Sequence, residues 1–133
     1  MTVTLLPELG GGLGSGDGAG APPAFMVVAT DTAHKQVEAW LRKHAAAAAA
    51  AAAGGGAAVS LTDVTGGYAL LSLQGPHSRA LQQRACAEDL SPAAHPYRAA
   101  RYIDIGCARV LATRVTYVGE LGYELAESAA CTR

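Results

Sequence analysis

Cysteine is scarce in this chain of 133 residues: Cys86, Cys107 and Cys131 are odd in number and widely spaced. No C-x-x-C occurs, so neither a zinc site nor a disulfide framework is indicated, and reduced thiols in an intracellular compartment are expected. Neither sign of charge predominates. Ten basic residues against eleven acidic ones leave a net charge of −1, which gives no electrostatic case for nucleic acid or an anionic membrane surface. Aromatic residues make up only 5% and do not interleave with Arg98, Arg101, Arg109 or Arg114, so base stacking has no platform; these arginines read as solvated strand faces. No apolar run approaches the length of a membrane-spanning helix. The start, Met1-Thr-Val-Thr-Leu-Leu-Pro7, lacks the basic residues of a signal peptide and the arginines of a transit peptide, so a targeting segment would have to precede it in a longer product. The histidines His34, His44, His77 and His95 are scattered and read as surface or capping residues. His34 and His44 share a helix but stand ten residues apart, too far to share a metal, and no metal ligand is assigned.

Glycine and alanine are what the chain has in excess. Gly10 to Ala24 is rich in Gly, Ala and Pro, and Ala45 to Ala58 contains nine consecutive alanines, three glycines and two more alanines. Setting these aside leaves about 105 residues to carry a core, enough for one small domain. The hydrophobic content of 50% overstates that core, because alanine buries little side-chain area. The stretch GGGLGSGDGAG contains neither G-x-G-x-x-G nor G-x-x-x-x-G-K-[ST] and reads as a flexible insertion.

Phe25-Met-Val-Val28 has the character of a buried strand. Thr30, Asp31 and Thr32 are alternative helix caps, and Val37, Trp40, Leu41 and His44 follow at helical spacing. The alanine tract has the propensity to prolong that helix, but it has no apolar stripe and ends in three glycines, so it reads as a low-complexity loop. Two strand-like runs flank Thr65-Gly66-Gly67, the second being Tyr68 to Leu73. Gly75-Pro76 opens a short helix that continues to about Ala85. After a loop marked by Ser91-Pro92 and His95-Pro96, Arg101–Ile105 and Val110–Tyr117 form an antiparallel pair about Gly106. Strand, helix, strand pair, helix, strand pair describes an α+β fold, an antiparallel sheet with helices on one face. Residues 1–24 form a strand remnant and Gly-rich insertion; residues 25–133 form the domain, interrupted at 45–58.

Ser72, Ser78 and Thr65 sit in no nucleophile elbow and beside no base at a telling spacing, so no catalytic residue is assigned. The most informative segment is Thr113-Arg-Val-Thr-Tyr-Val-Gly-Glu-Leu-Gly-Tyr-Glu-Leu125. It places Glu120 in a turn between Gly119 and Gly122, where glycine permits positive φ and close approach of a ligand. A carboxylate so placed accepts two parallel hydrogen bonds from a forked donor, such as arginine or the amino edge of a pterin or guanine. On the residues alone, a solvated turn glutamate is the other reading.

Taken together, FMVVATDTAHKQVEAWLRKH, VSLTDVTGGYALLSLQGPHSRAL and YRAARYIDIGCARVLATRVTYVGELGYEL resemble the folate-binding aminomethyltransferase domain of the glycine-cleavage T-protein. The resemblance leans toward the C-terminal half of the dimethylglycine and sarcosine dehydrogenases and the pyruvate dehydrogenase phosphatase regulatory subunit. It implies tetrahydrofolate as cofactor, with Glu120 gripping the pterin edge and Val28 and Thr30 lining the pocket. The family carries asparagine at the Thr30 position and tyrosine at Met26. By the family's register, its essential aspartate would lie just before Met1, and the arginines that complete the folate site beyond Arg133.

The resemblance implies part of a parent flavoenzyme that oxidises an N-methylglycine and passes the one-carbon unit to tetrahydrofolate. FAD would belong to a further N-terminal domain, and the location would be mitochondrial by the resemblance, otherwise cytoplasmic. This chain alone would be inactive, its partner a small-molecule folate, with no nucleic acid and no membrane. One alternative is a non-catalytic regulatory or binding module with a protein partner. Another is an incomplete product whose exposed strand faces leave it without a stable fold.

Overall fold

The computed structural model describes residues 1–7, 23–51 and 59–128. It contains six strands and two α-helices among those residues. They are β1 (Thr2–Leu5), β2 (Phe25–Val28), α1 (His34–Ala51), β3 (Tyr68–Gln74), α2 (Ser78–Gln83), β4 (Ala100–Ile105), β5 (Ala108–Thr113) and β6 (Gly122–Ser128). The fold is α+β, as the order of elements implies. The chain divides into two compact units, Met1–Val3 with Val27–Thr65, and Thr4–Met26 with Gly66–Arg133. β1 and β2 pair as a two-stranded sheet, and the division runs through these strands.

In the first unit α1 is the main element. His34 to Leu41 supplies an amphipathic start, and Glu38 reaches Lys35 at 3.1 Å and Arg42 at 2.8 Å. The helix then continues through Ala51, so residues 45–51 of the alanine tract are helical and not a loop. Propagating an existing helix costs little, and alanine loses no side-chain entropy in it, so propensity outweighs the missing apolar stripe. Residues 52–58 of the tract lie outside the described residues, as do 8–22 of the Gly-rich segment. The run Val59 to Val64 forms no strand. Asp63 instead draws the backbone into a local turn, accepting hydrogen bonds from Thr65 N–H at 3.0 Å and Thr65 Oγ1 at 2.6 Å. Such side-chain bonds compete with a strand ladder.

The second unit is built on a four-stranded antiparallel sheet in the order β3-β6-β5-β4. The register is set by Leu73 opposite Tyr123, Leu125 opposite Ala112, and Ile103 opposite Val110. Alternation then sends Ile103, Val110, Ala112, Tyr123 and Leu125 to one face, where Leu90 packs with them and Cys86 and Leu121 border the cluster. Leu111 and Ala126 point to the other face and meet Leu6, flanked by Ala24, Met26 and Tyr102. Burial on both faces fits the continuous apolar run Val110-Leu111-Ala112 in β5. Each fully buried large apolar side chain contributes about 1.5–3 kcal/mol. β5 stops at Thr113 and does not run on to Tyr117.

The expectations for one strand and for three single residues change. Phe25–Val28 is a strand, but a half-exposed one. His95 is fully buried, not on the surface. Arg101 donates to the carbonyls of Asp89 and Ala94 instead of facing solvent, and Arg98 sits at a turn with φ of 68°.

Candidate functional site: the β5–β6 loop

The loop 114–121 joins the two central strands of the second unit, and both of its ends are fastened. On the β5 side, Arg114 N–H donates to Ala99 O at 2.9 Å, Arg98 N–H donates to Arg114 O at 2.8 Å, and the Arg114 guanidinium reaches His95 O at 2.9 Å. On the β6 side, the carbonyl of Leu121 accepts two hydrogen bonds. One comes from Gly75 N–H at 2.8 Å and the other from Ser78 Oγ at 3.2 Å. The sequence Gln74-Gly75-Pro76 ahead of α2 therefore holds the far side of the Glu120 turn.

Within the loop, Gly119 has φ of 85°, a conformation that glycine adopts without strain. Its N–H donates to Thr116 Oγ1 at 2.9 Å. Gly122 plays a different part from the one its neighbour suggests. It is buried, its φ is not positive, and it pairs with Gln74, whose side-chain amide occupies the space a Cβ would need. Between the two glycines Glu120 is exposed, and its carboxylate has no hydrogen-bond or ion-pair partner among the described residues. Tyr117 is 99% exposed and Val118 68%, so an apolar lip adjoins the free carboxylate. The sequence reading passed over Tyr117, although its place in the Y-x-G-E-x-G run was the available signal.

Beneath the loop lies a buried polar layer. The His95 ring meets the edge of Tyr123 at 5.5 Å between centroids, and its Nε2 lies 3.2 Å from Ala99 O, to which it donates. Burial pushes the His95 pKa below its ordinary value, against the raising effect of the Ala99 carbonyl. The Tyr123 hydroxyl accepts from Arg79 Nε at 3.2 Å. Burial also pushes the Cys86 thiol up, which makes it a poor nucleophile at neutral pH.

The other two expected contacts belong to the first unit. Val28 ends β2 and is half-buried. Thr30 is exposed, and its carbonyl accepts from Ala33 N–H at 3.0 Å to open a 3-10 turn at Asp31–Ala33, with no side-chain cap. The same unit gathers His34, Glu38 and Asp63, whose donor atoms all lie within 4.8 Å of one another. The sequence reading missed this group, because Asp63 is 29 residues from His34 and only the turn it forms brings it close.

The profile of the GCVT N-terminal domain matches residues 20–132. The chain belongs to that family. This GCVT N-terminal domain is 35% identical over 105 residues to 4-methylaminobutanoate oxidase (formaldehyde-forming) of Paenarthrobacter nicotinovorans, a match to 79% of the chain and 12% of that protein. It is 34% identical over 67 residues to mitochondrial dimethylglycine dehydrogenase of Mus musculus, covering 50% of the chain and 8% of that enzyme. An aminomethyltransferase of Shouchella clausii is 35% identical over 86 residues, covering 65% of the chain and 20% of the relative. The chain thus spans between about a twelfth and a fifth of the length of these relatives. No solved structure matches it significantly. The domain is aminomethyltransferase-like, and its relatives include both aminomethyltransferases and N-methyl amine oxidoreductases. Among the described residues, no helix is long and apolar enough to cross a membrane.

Proposed function

We propose that this domain binds tetrahydrofolate, with Glu120 gripping the amino edge of the pterin. The observation that carries the proposal is the partnerless Glu120 carboxylate on a loop fastened at both ends, with Gly119 at positive φ beside it. A carboxylate carried on a loop fastened at Arg114, Gly119 and Leu121, and without a partner among the described residues, loses little by accepting a forked N–H donor. The exposed ring of Tyr117 offers a flat apolar surface beside it. Val28 and Thr30 are carried as folate contacts by the family resemblance alone.

The whole protein is, in this proposal, a longer enzyme. It oxidises an N-methylated glycine such as dimethylglycine or sarcosine on FAD carried by a further domain. The one-carbon unit then passes to tetrahydrofolate here. A mitochondrial location follows the dimethylglycine and sarcosine dehydrogenases of mammals, while other relatives are bacterial. Isothermal titration of reduced folate into the chain tests the binding step. Glu120→Gln keeps the shape and removes the charge, and is expected to weaken binding by about tenfold or more, since charge-assisted hydrogen bonds contribute about 1.5–3 kcal/mol. Equal affinity of the variant would overturn the role given to Glu120.

A second reading, a regulatory module with a protein partner, is favoured by one feature. β3 is an edge strand on which Leu70 and Leu71 remain 47% and 59% exposed. A protein that co-purifies with the chain and is released by Leu71→Lys, with no folate bound, would establish that reading instead.

A further inference from the structure

We infer that His34, Glu38 and Asp63 form a binding site for a first-row divalent cation of the zinc type, separate from the folate function proposed for the Glu120 loop. His34 and Glu38 are four residues apart at the start of α1 and therefore share one face of the helix. Asp63 arrives from the turn at Thr65. The three donor atoms lie within 4.8 Å of one another, and His34 Nε2 stands 3.1 Å from Asp63 Oδ2. Two donors each about 2.1 Å from one ion, at the tetrahedral angle, stand about 3.4 Å apart, close to this separation.

The orientation of Asp63 comes from outside the group. Its Oδ1 is occupied by the amide and hydroxyl of Thr65, which leaves Oδ2 directed at the imidazole. Anchoring bonds of this kind orient ligands in metal sites. Glu38 engages Lys35 and Arg42, both exposed pairs on the helix surface. Exposed pairs of this kind contribute little, so turning one oxygen toward an ion costs little. One imidazole and two carboxylates suit zinc, cobalt or manganese. The side chains of His34 and Asp63 are 34% exposed, which leaves room for water to complete the coordination.

The test uses the full 133-residue chain with Cys86, Cys107 and Cys131 changed to serine, so that thiols do not compete for the metal. Calorimetry with Zn²⁺ is expected to show one site per chain. Its affinity should fall at least about tenfold in His34→Ala and in Asp63→Asn, whose far-ultraviolet circular dichroism should be unchanged. Absence of zinc uptake, or uptake indifferent to both substitutions, would overturn the site. Should the serine variant fail to fold, Co²⁺ added to the unaltered chain gives a second readout. Paramagnetic broadening centred on the amides of His34, Glu38 and Asp63 supports the site, and broadening centred elsewhere overturns it.

Discussion

The amide of Gly75 donates a 2.8 Å hydrogen bond to the carbonyl of Leu121, so the turn that starts α2 is tied to the residue after Glu120. Gly75 holds φ of 112°, where an L side chain is strained, and no neighbouring atom crowds its Cα hydrogen. The cost of Gly75→Ala is therefore expected to be backbone strain alone, about 1–3 kcal/mol. Urea unfolding of the variant measures it. A change within 0.5 kcal/mol would show that the turn relaxes without loss.

Ser78 contributes the second bond to the same carbonyl and is buried. Ser78→Ala is expected to cost about 1 kcal/mol, because the hydroxyl's partner keeps its bond from Gly75. The double variant with Gly75→Ala should cost more than the sum of the two, since both act on Leu121. A double-mutant cycle in urea reads that coupling.

Among the described residues Tyr123 is the largest fully buried side chain, and it lies opposite Leu73 in the register of β3 and β6. Tyr123→Phe removes only the bond from Arg79 and is expected to cost about 0.5–1.5 kcal/mol. Tyr123→Ala empties the space beside His95 and Leu90 and is expected to cost about 3–5 kcal/mol. Denaturant midpoints of the two variants separate the hydroxyl from the ring.

His95 makes stability depend on pH. In the unfolded chain the ring takes up a proton near its ordinary pKa of 6.5, and in the folded chain only at lower pH, because burial disfavours the charged form. The unfolded state therefore binds more protons in that window, and stability is lost as pH falls through it. Above 6.5 the contribution is intact. Urea midpoints at about pH 7.5 and pH 5 should differ, and less so in His95→Gln. An equal difference in the variant would assign the effect to other groups.

Much of the second unit was legible in the sequence, and the reasons are local. Alternation over Arg101 to Ile105, the turn at Gly106 and the presence of a short helix after Gly75-Pro76 each follow from side-chain period or backbone chemistry, although α2 runs only from Ser78 to Gln83. The Glu120 turn was legible because Gly119 marks a positive φ. What was not legible depended on contacts far apart in sequence. The role of Gly122 appears only when Gln74 is laid against it, and the burial of His95 only when Tyr123 packs on its ring. The run Val59 to Val64 looked like a strand because its residues favour one, and Asp63 redirected it. The alanine tract went the other way, where helix propensity prevailed through Ala51 without any packing partner on a stripe.

The most direct measurement is a nuclear magnetic resonance titration of the isotope-labelled chain with reduced folate. Folate binding at the turn requires the amides of Gly119, Glu120 and Leu121 to shift together with one dissociation constant. Shifts confined to other residues, or none at saturating folate, would contradict the site.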